Sequence, residues 1–403
     1  MAARRNERVG LRRVFENPGY RRLWSARTAS QWGDVFATVA LSLLVLELTG
    51  SAWGVATVVL VEIIPVIAFA PFAGALVDRL PRASVMVVAD LARAVLSAFL
   101  VLFHDDVSVV YAVAFGSSVC TVLFNPAANG ALPDLVSDRH LVAANSGIWT
   151  AAVLSQIAIA PVAGVLYTAF GPGPAFAING LSYLVSAAVL VGLQLPPTPA
   201  ITSRRQFFTD AGAGVRLVTS DPLLRALAVG QLLAALSAGA TSALLVVLAR
   251  EHLSVEPSGY GWLLAAIGVG AVIGPLLLTG LVDDARRPAY VFGPYLLRGG
   301  VDFVIATVSS LPVAMLAMAA YGLGTSSGAV TFNSLLQSST SEGVRGRVFA
   351  AFDLLWQLGR LISIMAGGAL ASAVGIEAVY YIGGSLLVLA AAVGWRAART
   401  TAA

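Results

Sequence analysis

Long apolar blocks separated by short polar connections run through the whole sequence. A helix of about twenty apolar residues spans the hydrocarbon core of a bilayer, and unbroken apolar runs lack the alternation of a membrane β-barrel strand. The pattern therefore predicts an all-α membrane protein with about twelve transmembrane helices. The blocks lie at residues 23–48, 53–76, 84–103, 107–132, 142–169, 174–194, 223–249, 259–281, 289–309, 312–337, 347–373 and 376–395.

The longest polar connection follows the sixth block and divides the chain into two related halves. SAWG at residues 51–54 corresponds to SGYG at 258–261, and Asn125 corresponds to Asn333, at a common offset of about 207 residues. Parallel repeats of this kind suit alternating access around a central site. We predict a cytoplasmic N-terminal segment (1–22), a six-helix bundle (23–194), a cytoplasmic linker (195–222), a pseudo-symmetric second bundle (223–395) and a cytoplasmic tail (396–403).

Composition and charge agree with a membrane protein. The chain is 58% hydrophobic and 11% charged, whereas a soluble domain carries roughly 25% charged residues. All 25 cationic residues are arginines, and they collect in alternate connections. By the positive-inside rule this places both termini in the cytoplasm, so the net charge of +4 is no sign of nucleic-acid binding. The single cysteine, Cys120, excludes an intrachain disulfide, and we expect no metal site and no cofactor.

The stretch GALVDRLPR at residues 74–82 joins the second and third blocks and resembles motif A of the major facilitator superfamily. It departs from that motif at Pro81 and Ala83. The weaker copy GLVDDARRP occupies residues 280–288. ENPGYRRLWSARTASQWGD (16–34) and NPAANGALPDLVSDRHLVAANS (125–146) resemble the drug-efflux branch that contains macrolide exporters and the enterobactin exporter.

The resemblance implies the major facilitator fold and a conformational gate at the motif loops. In the family the motif Asp, here Asp78, meets the start of helix eleven near Gly346 and Arg347 and closes the cytoplasmic side. The gate residues implied by the motif and its copy are Gly74, Asp78, Arg79, Arg82, Gly280, Asp284, Arg286 and Arg287.

Polar side chains inside the apolar blocks are costly and therefore mark functional or structural contacts. Helix one carries a stripe of Arg27, Gln31, Asp34 and Thr38, and Asp34 lies near mid-membrane. Asp34 is a candidate proton carrier or substrate-binding residue, with a structural role as the equal alternative. Glu62 in helix two is a second candidate. The arginine that many proton-coupled drug exporters carry in helix four has no counterpart here, so a proton relay would have to lie elsewhere.

Three further charged groups have structural or gating interpretations. Asp90 and Arg93, spaced i, i+3, and Arg298 and Asp302, spaced i, i+4, are interpreted as structural ion pairs that tie helices three and nine to the motif loops. A stripe on helix eleven fits either gating or a structural role. Its members are Asp353, Gln357 and Arg360.

The remaining polar and aromatic residues are milder candidates. Pro161 and Gly164 in helix five resemble a degraded antiporter motif, although an ordinary kink with small-residue packing explains them equally well. The other cavity candidates, for each of which ordinary helix packing stays an alternative, are Trp32, Thr121, Asn125, Gln231, Tyr321, Thr325 and Asn333.

These observations predict a monomeric secondary transporter in a bacterial cell membrane, not an enzyme. The resemblance to the drug-efflux branch implies that the protein exports hydrophobic or amphipathic small molecules by proton antiport, with protons and the bilayer as partners. A siderophore or lipid-like metabolite exporter, and an importer or uniporter of the same fold, stay open as alternatives. A non-transporting membrane protein or a membrane-embedded enzyme is the alternative from a different class.

Overall fold

The computed structural model describes residues 11–77, 79–196, 216–281, 288–340 and 342–401, which are helices joined by short connections without any strand. This confirms the predicted all-α fold class. A short helix, Leu11–Val14, precedes the long ones. The twelve long helices within the described residues are α1 (Pro18–Thr49), α2 (Ala52–Val77), α3 (Arg82–Phe103), α4 (Val107–Leu135), α5 (Asp138–Phe170), α6 (Gly173–Val191), α7 (Pro222–Ala243), α8 (Pro257–Leu281), α9 (Pro288–Ile305), α10 (Leu311–Ser338), α11 (Glu342–Val374) and α12 (Ile376–Thr401).

Eleven of these helices in the described part of the chain are long and apolar enough to cross a membrane. The exception is α9, whose 18 residues include Arg298 and Asp302. Between α7 and α8, the helix Leu245–Val247 continues into a π-helical turn, Leu248–His252. The helices agree with the predicted apolar blocks to within a few residues at most ends.

Local sequence signals account for several helix ends. Gly50, Gly171 and Gly375 follow α1, α5 and α11 with φ of 56°, 73° and 100°, the left-handed conformation that glycine adopts freely after a helix. The carboxylate of Asp221 accepts hydrogen bonds from the backbone N–H groups of Leu223 and Leu224, at 2.8 and 2.9 Å, and so caps α7.

The chain divides into two compact units. Unit 1 contains Met1–Thr38, Ile64–Ile159 and Pro172–Thr202, and unit 2 contains Val39–Ile63, Ala160–Gly171 and Ser203–Ala403. The predicted division at the 195–222 linker stays a prediction. The buried core of unit 1 includes Tyr20, Leu23, Met86, Phe124 and Leu190. The buried core of unit 2 includes Leu227, Phe292, Leu336, Phe352 and Leu387.

Helix packing repeats from one unit to the other. In unit 1, α3 packs against α4 and α6, and in unit 2, α9 packs against α10 and α12. The α3–α4 contact corresponds to α9–α10, and the α3–α6 contact corresponds to α9–α12, each six helices later in the chain. The repeated packing has the form expected of the duplication seen in the sequence.

Candidate functional site

A close approach of α1 and α6 brings Asp34 to a tyrosine in unit 1. Gly33 makes this approach possible, because a Cβ there would lie only 2.0 Å from the hydroxyl of Ser182. One residue further along α1, the Oδ1 atom of the half-buried Asp34 accepts a hydrogen bond of 2.5 Å from the hydroxyl of Tyr183. Sequence reasoning selected Asp34 but gave no sign of this partner.

A buried charged network continues from Tyr183. The guanidinium of Arg93 lies 4.3 Å from the centroid of the Tyr183 ring and 4.7 Å from that of Phe124, within the range of cation–π attraction. Arg93 also forms an ion pair with Asp90, which accepts a 2.6 Å hydrogen bond from the hydroxyl of Ser186. Buried charges require such partners.

These contacts alter the interpretation of Asp90 and Arg93. They form the expected i, i+3 pair, but the further contacts of Asp90 and Arg93 described above are with α4 and α6, and none of these partners belongs to a loop. The network reaches the aromatic ring whose hydroxyl binds Asp34. The two carboxylates, one arginine and one tyrosine of unit 1 therefore form a single polar cluster.

Unit 2 contains a related cluster with different pairing. Arg298 and Asp302 do not form the predicted ion pair among the contacts of the described chain. Instead, Arg298 donates a 3.0 Å hydrogen bond to the hydroxyl of Tyr321 and lies 4.8 Å from the centroid of its ring. Asp302 accepts a hydrogen bond of 3.3 Å from Ser237 on α7. Partners on other helices, with Tyr321 as acceptor and Ser237 as donor, replace the expected contact along α9.

A pocket of about 300 Å³ opens beside this cluster in unit 2. It brings together three predicted cavity residues, Gln231, Thr325 and Asn333. Phe332 and Phe352 meet edge to face in its wall, with ring centroids 5.5 Å apart. Pockets of mixed aromatic and polar lining suit amphipathic molecules. Other lining residues include Tyr295, Arg298, Asp353 and Trp356.

Unit 1 has its own pocket, of about 390 Å³, between α1, α4 and α5. Arg27 and Gln31 of the predicted stripe line it, together with Trp149. Arg27 donates a hydrogen bond of 3.1 Å to the side-chain oxygen of Asn129. Sequence analysis missed Asn129, which lies one helical turn after the selected Asn125.

Several predicted cavity residues do not line either pocket. Asn125, Trp32 and Thr38 are exposed, and the hydroxyl of Thr121 donates to the carbonyl of Ser117 in the preceding turn. Asp34 also lies outside the pocket that contains Arg27 and Gln31. The polar stripe on helix one therefore contributes to two different environments.

The residues of the antiporter-like motif lie where α5 crosses α8 within unit 2. A Cβ on Gly164 would lie 2.7 Å from the carbonyl oxygen of Pro257. From the opposite helix, a Cβ on Gly261 would lie 2.2 Å from the carbonyl oxygen of Ala160, which precedes Pro161. Only glycine allows the two backbones to approach this closely.

Other contacts at this end of unit 2 join segments that are far apart in the sequence. The hydroxyls of Ser51, before α2, and Ser372, in α11, lie 3.4 Å apart. Tyr167 of α5 donates a hydrogen bond of 2.6 Å to Glu47 of α1. The second proton-carrier candidate, Glu62, lies within electrostatic range of the buried Tyr260. We call this region the outer end of unit 2, after the side on which the arginine pattern predicts it.

His252 links three segments at the outer end. Its Nδ1 atom lies 2.9 Å from a carboxylate oxygen of Glu377, and its Nε2 atom lies 3.0 Å from the carbonyl oxygen of Val308. A neutral imidazole has only one N–H, so both bonds require an added proton on the ring or on Glu377. Burial, together with the charge of Glu377, raises the pKa of the nearby Glu251.

The structure covers only part of the predicted gate. Asp78, Asp284, Arg286 and Arg287 lie outside the described residues. Gly74 belongs to α2 and Gly280 to α8. Arg79 is exposed, whereas Arg82 is half-buried and forms an ion pair of 2.7 Å with Asp134 on α4.

The charged stripe on α11 is divided in the structure. Asp353 is exposed and lines the unit 2 pocket, whereas Gln357 and Arg360 are half-buried and do not line it. Near Arg360, α11 packs closely on α7, because a Cβ on Gly239 would lie 2.7 Å from the carbonyl oxygen of Arg360.

Multiple membrane spans, repeated helix packing and polar clusters inside the helices are the features expected of a membrane transporter. A family model described as transmembrane secretion effector, of the major facilitator superfamily, matches residues 13–402. The chain belongs to this family.

Relatives and solved structures agree with this assignment. The chain is 28% identical to the uncharacterized MFS-type transporter YfiS of Bacillus subtilis, over 93% of this chain and 92% of the relative. It is 26% identical to the multidrug efflux pump Tap of Mycolicibacterium fortuitum, over 89% and 90% of the two chains. It is 23% identical to macrolide efflux protein A of Streptococcus pyogenes, over 92% and 94%. The inward-facing structure of a bacterial homologue of the iron transporter ferroportin superposes with a TM-score of 0.76 at 17% identity, over 94% of this chain and 98% of the other.

Proposed function

We propose that this protein is a proton-coupled exporter of hydrophobic or amphipathic small molecules that works by alternating access. The observation that carries the proposal is the Asp34 cluster of unit 1. A carboxylate halfway along a membrane-spanning helix is expensive unless it binds an ion or a partner. Asp34 has Tyr183 as a donor and lies close to the Arg93–Asp90 pair.

The cluster offers a simple way to couple proton binding to a change of contacts. Ionised Asp34 accepts from the Tyr183 hydroxyl and attracts Arg93. Protonated Asp34 loses its charge and releases that attraction, so Arg93 interacts mainly with Asp90. A proton therefore changes the electrostatics between α1, α3 and α6, and a transporter can couple such a change to opening and closing.

The proposed cargo follows from the unit 2 pocket. Its aromatic wall provides apolar contact area, and Gln231 and Asn333 provide a few hydrogen-bonding groups. Export is further supported by the relatives named as a multidrug efflux pump and a macrolide efflux protein. The arginine pattern supports a cell-membrane location with both termini in the cytoplasm.

We assign the glycine contacts at the outer end of unit 2 to the conformation in which the outer side of the transporter is closed. Gly164 and Gly261 allow α5 and α8 to pack without a gap. The motif residues from Gly74 to Arg82 would act on the opposite side. Transport then requires these two sets of contacts to form in turn.

The proposal is tested by replacing the carboxylate of Asp34 with an amide. Asp34→Asn is expected to abolish proton-driven uptake of ethidium into everted membrane vesicles, because the amide cannot carry a proton in the same way. Asp105→Asn is the matched control, since the Asp105 side chain is 95% exposed in the α3–α4 connection. Equal proton-driven uptake by the two variants would contradict the role of Asp34.

A further inference from the structure

A third pocket lies at the ends of helices in unit 1 and shares no lining residue with the two pockets described above. It has a volume of about 530 Å³. One wall is the α2–α3 connection and the start of α3, residues 79–83, and the other is the segment after α6, residues 193–196. Neither segment contains a carboxylate side chain, so the only formal charges in these two segments are those of Arg79 and Arg82.

The two arginines have different environments. The guanidinium of Arg82 donates to the carbonyl oxygen of Gly130 at 2.8 Å and to the carboxylate of Asp134 at 2.7 Å. Its charge is therefore balanced within the protein. The side chain of Arg79 is exposed and has no hydrogen bond or ion pair with any residue that the structure describes. Among the described residues, the pocket therefore offers one positive charge that no carboxylate balances.

Exposed apolar side chains accompany this charge. Leu76 in the last turn of α2 is 48% exposed, Leu80 in the pocket wall is 42% exposed, and Val88 on α3 is 65% exposed. Arg82–Phe103 is long and apolar enough to cross a membrane, and Leu76 and Leu80 lie just before it, where the head-group region of a bilayer is expected. The pocket thus joins an arginine to a surface that suits acyl chains.

We propose that this pocket binds the phosphate of an anionic phospholipid, with Arg79 as the main ligand. A guanidinium donates two parallel hydrogen bonds to phosphate oxygens, and a phosphodiester carries the single negative charge that balances Arg79. Basic pockets between membrane helices on the cytoplasmic side are suited to anionic head groups. The exposed leucines favour a lipid over a free phosphate ion, because they offer contact area that only acyl chains can cover.

The site gives the α2–α3 connection a second role beside the predicted gate. A lipid phosphate on Arg79 would hold this connection to the end of α6, because both segments form the pocket. Binding of lipid should therefore stabilise the folded protein, and the stabilisation should rise with the logarithm of the lipid concentration above Kd.

The test measures lipid retention by the purified full-length protein. Native mass spectrometry from detergent containing phosphatidylglycerol or phosphatidylcholine is compared for wild type, Arg79→Gln and Arg225→Gln. Arg225 is an exposed arginine near the start of α7 and undergoes the same loss of charge. Phosphatidylglycerol retention should fall about tenfold in Arg79→Gln and stay unchanged in Arg225→Gln. Arg79→Lys, which keeps the charge but loses the paired donors, should retain an intermediate amount.

Two results would overturn the proposal. One is equal phosphatidylglycerol retention by Arg79→Gln and Arg225→Gln. The other is equal thermal stabilisation of the wild type by inorganic phosphate and by phosphatidylglycerol, which would assign the site to a free anion. Gel filtration of each variant shows whether it is folded. If Arg79→Gln is not folded, lipid retention by Arg79→Lys is compared with that of the wild type instead.

Discussion

Replacing Gly164 with alanine is expected to open the outer end of unit 2. The added Cβ would lie 2.7 Å from the carbonyl oxygen of Pro257 and also 2.7 Å from the Cα of Ser258. Both atoms belong to the backbone, so neither can move aside as a flexible side chain can. Helices α5 and α8 must therefore separate by about 0.7 Å before ordinary van der Waals contact is restored.

Overpacking of this kind costs about 1–3 kcal/mol. If the cost falls only on the state in which α5 and α8 are packed, the population of that state drops about 5- to 150-fold relative to the open one. The folded protein should otherwise survive, because the strain disappears when the helices part. The substitution is therefore a conformational perturbation rather than a general loss of stability.

The assay uses a disulfide as a reporter of the closed outer end. Ser51 and Ser372, whose hydroxyls lie 3.4 Å apart, are both replaced by cysteine in a Cys120→Ala background. These positions are close enough for a disulfide when the outer end is packed. We expect rapid cross-linking in the parent protein and markedly slower cross-linking after Gly164→Ala.

Gly173→Ala is the matched control for this experiment. A Cβ on Gly173, at the start of α6, would meet nothing within 4 Å. Equal cross-linking rates for Gly164→Ala and Gly173→Ala would refute the argument that glycine is needed for closure. Cross-linked protein should also lose transport and regain it when the disulfide is reduced.

Three other substitutions test separate parts of the account. Tyr183→Phe removes the donor to Asp34 and should lower uphill transport while sparing downhill movement, measured in the same vesicles; an equal fall in both would contradict a coupling role. Trp356→Ala should raise the apparent KM for an aromatic substrate several-fold by removing pocket contact area, whereas Trp262→Ala, at an exposed side chain on α8 that does not line the pocket, should not; equal effects would exclude this pocket. His252→Ala removes two hydrogen bonds and should lower the Tm by about 1–4 °C; an unchanged Tm would show that the linkage has no stabilising effect.

Hydropathy was sufficient to predict the spanning helices, because each one must satisfy its backbone internally and meet lipid with apolar side chains. It also indicated Asp34 as a candidate, since a carboxylate in such a helix stands out against its neighbours; the role of Asp34 stays a prediction. The weakly apolar α9 is harder to recognise as a span, because Arg298 and Asp302 reduce its mean hydropathy. Their interhelical partners, Tyr321 and Ser237, explain how these charges are accommodated.

The partners of the polar residues could not be read from the sequence. Tyr183 lies 149 residues after Asp34, and only the close approach at Gly33 brings them together. The spacing of Arg298 and Asp302 permits an ion pair, but interhelical donors and acceptors compete for the same atoms. Asn129 was missed because the neighbouring Asn125 has the same chemistry, and only the packing of α4 determines which of the two lines the pocket.

Proton movement that accompanies substrate transport is the most direct test of the central claim. The purified protein is reconstituted into liposomes that contain a pH-sensitive dye, and ethidium is added without an imposed pH gradient. Proton antiport predicts that ethidium entry drives protons outward, with a rise in internal pH that Asp34→Asn abolishes. Ethidium entry without any change in internal pH would contradict proton coupling.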